Sequence, residues 1–209
     1  MIIGYHLIWT VYGYWLPNDP RGSTSKTIAS DVIAQLGSLH DGRKKIQPSN
    51  REIRQFQERS RGVLKFPLLL FAANEIFIIA EGIAEAIDRH NYTCYACAIM
   101  PDHVHMVIRR HRHQADEMLE NLQESTRLRV RTAGVRTADH PVWGGPGWKV
   151  FLDAPDGMRR TIDYTNENPR QWRMPAQRWA FVTPYDGWPL PPGHSPSSPY
   201  LASTRNHQK

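Results

Sequence analysis

Two apolar runs, Tyr92-Thr-Cys-Tyr-Ala-Cys-Ala-Ile99 and His103-Val-His-Met-Val-Ile-Arg109, are separated only by Met100-Pro101-Asp102, and this arrangement constrains the fold more than any other feature of the chain. Both runs read as strands, and a link this short joins them as a hairpin. Side chains alternate across a strand, so His103 and His105 share one face while Val104, Met106 and Ile108 anchor the other. Two imidazoles on one rigid surface can hold a divalent ion and leave its other coordination positions open. A pair of half-buried structural histidines is the competing reading, and the motif alone does not separate the two.

The flanking pattern places the hairpin in a larger sheet. Residues 2–10 are rich in Ile, Tyr and Trp and predict a first strand. Ile76, Ile79, Ala80, Ile83, Ala84 and Ile87 recur at helical spacing and predict a helix from Asn74 to near His90. A second helix, from about Gln114 to Arg131, presents Met118, Leu119 and Leu122 on one face. After the turn Trp143-Gly-Gly-Pro-Gly-Trp148, Lys149–Leu152 reads as a strand. The order strand, helix, strand, strand, helix, strand is that of an α+β, ferredoxin-like (RRM-like) antiparallel sheet with helices on one face. Residues 18–70 are polar and read as an insertion, with one short helix near Thr27–Leu36 and another opened by Ser49-Asn-Arg-Glu52, a capping-box pattern. We expect one domain over 1–185 and a disordered tail over 186–209, where Pro, Ser, Gly and polar residues dominate.

Beyond the last strand, Asp156 near the start, Met158 and Ile162 four apart, and a terminating Pro169 predict a helix of about three turns appended to that core. Tyr164 and Asn168 lie one turn apart on it, so a phenol and a carboxamide point the same way. Each also has a plain structural reading: a core tyrosine, and a helix stop before proline.

Met100-Pro-Asp-His-Val-His105, taken with Asp163-Tyr-Thr-Asn-Glu-Asn-Pro169, resembles the single-tyrosine HUH transposases of the insertion-sequence and REP-associated type. Tyr5-His-Leu-Ile-Trp-Thr10 and the loop Tyr12–Gly22 resemble the opening strand and loop of a subgroup, so the likeness covers roughly residues 1–23 and 72–185. It implies that His103 and His105 are ligands of Mg²⁺ or Mn²⁺, that Asn168 supplies a further ligand, and that Tyr164 is the nucleophile. The implied activity is that of a metal-dependent single-stranded DNA endonuclease and strand transferase, a transposase or a domesticated descendant. It would cleave through a covalent 5′-phosphotyrosine and recognise DNA hairpins. The rings of Tyr12, Tyr14 and Trp15 either stack on splayed bases or pack their own loop. Related enzymes include dimers; without a long helical extension past Tyr164 the resemblance leans towards a monomer over a homodimer.

Charge is consistent with an anionic partner: Lys and Arg total 26 against 20 Asp and Glu, with a pI near 9.5. Arg109, Arg110 and Arg112 follow the histidine strand, Arg127, Arg129, Arg131 and Arg136 close the next helix, and Arg159 and Arg160 precede Tyr164. Such groups contact phosphates irrespective of base sequence, or form an ordinary solvated surface. Cys94 and Cys97, three apart on a strand, should face opposite ways and share no ion. No run approaches the ~20 apolar residues of a membrane span, and no basic region precedes the first apolar stretch, so a cytoplasmic protein without membrane contact is expected. Two rival functions stand beside the transposase. A histidine-triad nucleotide hydrolase needs a third histidine where Val107 stands. A DNA- or RNA-binding module without catalysis would keep the sheet and the basic surface.

Overall fold

The computed structural model describes residues 1–137 and 139–190. Strands β1 (Gly4–Thr10) and β2 (Gly22–Ser23) are followed by α1 (Asp31–Ala34), β3 (Gly42–Arg43), α2 (Asn50–Arg61) and α3 (Ala73–His90). Then come β4 (Cys94–Ile99), β5 (His103–Arg109), α4 (Ala115–Thr132), β6 (Trp148–Leu152) and α5 (Pro155–Gln171). The architecture is α+β: a four-stranded antiparallel sheet in the order β4-β5-β1-β6. The pair β2-β3 forms a separate ribbon within the expected insertion.

Alternation along the strands sorts the two faces. Tyr5, Leu7 and Trp9 of β1 and Val104, Met106 and Ile108 of β5 enter the main core with Ile76, Ile79 and Ile83 of α3 and Met118, Leu119 and Leu122 of α4. At the centre of that layer α3 and α4 approach closely, because a Cβ on Gly82 would lie 2.7 Å from Thr126 Cα. The other face carries His6, His103, His105 and Val107. Helix α5 packs there, its Met158 in a smaller cluster with Ile3, Tyr95, Ala96, Val107 and Trp188.

Four local expectations are corrected. Cys94 and Cys97 both enter the main core, because the register shifts at a bulge between Cys94 and Ala96 and restores them to one face. Burial pushes both thiols up and away from the thiolate that a metal needs. Helix α1 is a single turn capped by Ser30 rather than a helix over Thr27–Leu36. Helix α5 runs 17 residues and passes through Pro169; only two helical residues follow that proline, so its missing N–H forfeits little. Of the expected tail 186–209, residues 191–209 lie outside the described residues, while Trp188 is buried against the sheet and under Arg109, 4.0 Å away. A tryptophan supplies the apolar area that the polar composition around it conceals.

The capping box at α2 forms as written: Ser49 Oγ accepts from the Glu52 N–H, and Glu52 accepts from the Ser49 N–H. The open edge of β4 is covered by the chain after α5. Gln177 brackets Ile99 with two hydrogen bonds, and the Thr183 N–H donates to the Cys94 carbonyl. Among the described residues no helix is long and apolar enough to cross a membrane.

Candidate active site

His103 and His105 stand on one face of β5 with ring centroids 4.8 Å apart. Each is held by its Nδ1 atom. The Asp102 carboxylate lies 2.5 Å from His103 Nδ1, and because a carboxylate only accepts, the imidazole donates and its Nε2 faces outward. His105 Nδ1 lies 2.9 Å from Nε2 of His6, which projects from β1 diagonally across the pairing Ile8 to His105 and His6 to Val107. Both rings of that pair are 6% exposed. Burial lowers His6 to about 4 and, with the neighbouring His103 and His6 rings, holds His105 well below the ordinary histidine range. They are therefore neutral at pH 7, the state in which an imidazole offers a lone pair.

Helix α5 brings the phenol to these rings. Tyr164 meets His105 edge-on at 5.6 Å and His6 at 6.0 Å, and it is 48% exposed, so an extended polymer can reach it. Two turns on, Trp172 stands 6.0 Å from the His103 ring and is equally exposed. Asn168 falls midway on the stripe 164, 168, 172 and is 4% exposed, on the side of α5 turned to the protein. Its Nδ2 donates to the Tyr164 carbonyl at 2.8 Å, and its Oδ1 has no partner among the described residues. Thus the fold brings Tyr164, His103 and His105 together, leaves Asn168 one turn along α5 bonded to the Tyr164 carbonyl, and adds His6, Asp102 and Trp172, which reasoning from sequence did not single out. A signal for His6 was present: it is the one polar residue in the run Tyr5–Trp9.

Among the described residues no group of three or more His, Cys, Asp or Glu is placed to hold a metal ion. The donors on offer are His103 Nε2, His105 Nε2 and Asn168 Oδ1, with oriented second partners behind both rings. That set fits an open site in which substrate oxygens and water supply the remaining ligands.

The arginines divide. On α4, across the sheet from Tyr164, Arg127 pairs with Glu124 and Arg129 with Glu81 and Glu85, and just beyond the helix Arg136 pairs with Glu75; Arg131 is exposed without an ion pair among the described residues. On α5, Arg159 pairs with Asp156 while Arg160 is exposed. Arg109, Arg110 and Arg112 line a cleft beyond the far end of β5. In the aromatic loop Tyr12 lies against Phe66 and His140 from other segments, and Arg21 covers Trp15 at 4.0 Å.

The sequence matches no protein-family model and no curated protein. Its structural neighbours include a REP-associated tyrosine transposase bound to a REP hairpin, with 9% identity over 81% of this chain and 68% of that one, at a TM-score of 0.42. Another is a Deinococcus radiodurans protein named as a transposase, with 14% identity over 80% of this chain and 91% of that one, at a TM-score of 0.37.

Proposed function

We propose that this protein is a transposase-type enzyme of the single-tyrosine HUH kind, which cuts and rejoins single-stranded DNA with Tyr164 as nucleophile. The observation that carries the reading is the meeting of Tyr164 with His105 and His6, contributed by three elements distant in sequence. The core strand order β4-β5-β1-β6 suits the ferredoxin-like sheet on which such a site is built.

Tyr164 Oη would attack the scissile phosphorus as the P–O3′ bond breaks. The products are a 5′-phosphotyrosine and a free 3′-OH, and the phenolic proton passes by way of solvent to the departing oxygen. The bond energy is retained in the phosphotyrosine, so rejoining needs no nucleotide cofactor. Mg²⁺ or Mn²⁺, when bound, supplies charge neutralisation on the phosphate. His103, His105 and Asn168 would hold it, Asp102 and His6 fixing the rings so that Nε2 faces the ion; for His105 this requires Nδ1 to be the donor to His6. Half-exposed Tyr164 and Trp172 leave a strand room to lie along α5.

Incubation with labelled single-stranded DNA and Mn²⁺, followed by a denaturing gel, tests the reading. A covalent protein–DNA adduct that disappears in Tyr164→Phe is expected. Nucleotide hydrolysis without adduct would assign a histidine-triad-like chemistry, and binding with neither product would leave a nucleic-acid-binding module.

A further inference from the structure

At the end of β5 opposite His103, Arg109, Arg110, His111 and Arg112 form a ridge between two clefts. One, of about 460 Å³, is lined by Asn91, Thr93 and Trp188 together with these four residues. The other, of about 380 Å³, lies between Arg110, His111, Arg112 and Gln114 on one side and Ile2 and Tyr5 on the other. Among the described residues no carboxylate lines either cleft. Among the described residues none of the three arginines forms an ion pair, whereas three of the four arginines closing α4 and one of the two on α5 do. Arg109 is immobilised over the Trp188 ring, and Arg110 and Arg112 are exposed. Three guanidinium groups without acidic partners, flanking a concavity, present their N–H forks to a ligand of opposite charge.

We propose that this ridge is a phosphate clamp, gripping backbone phosphodiesters of the DNA that flanks the scissile bond. The proposal rests on the strand-cleaving reading above and extends it. Four residue steps along the strand lead from His105 to Arg109, about 13 Å at ~3.3 Å each. At about 3.4 Å of helix axis per nucleotide, a substrate must therefore continue roughly four nucleotides or more past the tyrosine to reach the clamp. Short flanks lie wholly on the α5 side and gain nothing from it.

The test uses the full chain carrying Tyr164→Phe, which cannot cleave, and fluorescence anisotropy at several salt concentrations. Ligands carry a flank of two nucleotides, of twelve nucleotides, or of a hairpin stem of equal strand length. Arg110→Ala/Arg112→Ala should weaken binding of the longer ligands by tenfold or more and leave the two-nucleotide ligand unchanged. It should also reduce the magnitude of the salt slope by about 1.4 for a single-stranded flank, two contacts at ~0.7 each. Lysine at both positions should recover most of the loss. A gain carried by the stem alone would assign the phosphates to duplex rather than single strand. Equal weakening of all ligands, or an unchanged salt slope, would overturn the clamp. Should the unmodified chain form no adduct on any ligand while the length-dependent binding persists, the cleavage reading fails and the clamp stands.

Discussion

Tyr164 of α5 and His105 of β5 meet with ring centroids 5.6 Å apart and planes at 85°, the phenol half in solvent and the imidazole buried. The contact sets a solvent-reachable phenol, the proposed nucleophile, against a ring whose charge burial suppresses. Because the two residues have such different exposure, their removal should have separable effects.

Tyr164→Phe deletes one oxygen from a 48% exposed side chain that makes no side-chain hydrogen bond among the described residues. Stability should change by no more than about 0.5 kcal/mol, and DNA affinity should persist while adduct formation vanishes. Thermal melts, anisotropy and a denaturing gel read the three properties. Adduct persisting in this variant would move the role to another tyrosine.

Asn168 is 4% exposed and ties its amide to the Tyr164 carbonyl. Asn168→Ala should raise the Mn²⁺ concentration needed for cleavage and cost about 1 kcal/mol for the lost hydrogen bond. Asn168→Asp should bind Mn²⁺ more tightly through its added charge, yet be less stable without metal, because a carboxylate cannot donate to that carbonyl. Metal titrations of cleavage decide the point: superimposable curves for all three proteins would make Asn168 purely structural.

His6 titrates near 4 in the folded protein against an ordinary value of 6.5. As pH falls, the unfolded chain takes up the proton first. Stability should therefore be complete above about pH 6.5 and be lost progressively down to about pH 4, by on the order of 3 kcal/mol from this residue. His105 shifts in the same direction and adds to the loss. Urea unfolding in EDTA across this range measures it, and His6→Gln should flatten the slope. A midpoint insensitive to pH would show that the folded pair takes up protons as readily as the unfolded chain.

Gly82 allows α3 to approach α4, since a Cβ there would lie 2.7 Å from Thr126 Cα. Backbone on the far side cannot swing away. Gly82→Ala should therefore destabilise the protein by about 1–3 kcal/mol despite its gain in helix propensity. Because this packing lies across the sheet from Tyr164, cleavage below the melting transition should be unchanged. A melting temperature equal to or above that of the parent would show that the helices can separate cheaply.

What the sequence determined by itself was local and periodic. The apolar spacing of α3 and α4, the capping box of α2, and the common face of His103 and His105 depend on residues within a few positions of one another. The one-turn offset of Tyr164 and Asn168 has the same basis, so the helix and strand repeats reveal them. The tertiary structure alone decided what joins across elements. His6 reaches His105 only through the β1–β5 register, and Trp172 stands beside His103 only because α5 continues past Pro169. Cys94 and Cys97 share a face only because of a bulge. Which arginines keep their charge available was settled in the same way: α3 carries Glu81 and Glu85 to Arg129 of α4 and Glu75 to Arg136 just beyond it, while among the described residues no carboxylate forms an ion pair with Arg109, Arg110 or Arg112. Pairing across a sheet and packing between helices depend on contacts between residues far apart in the chain, to which local periodicity is blind.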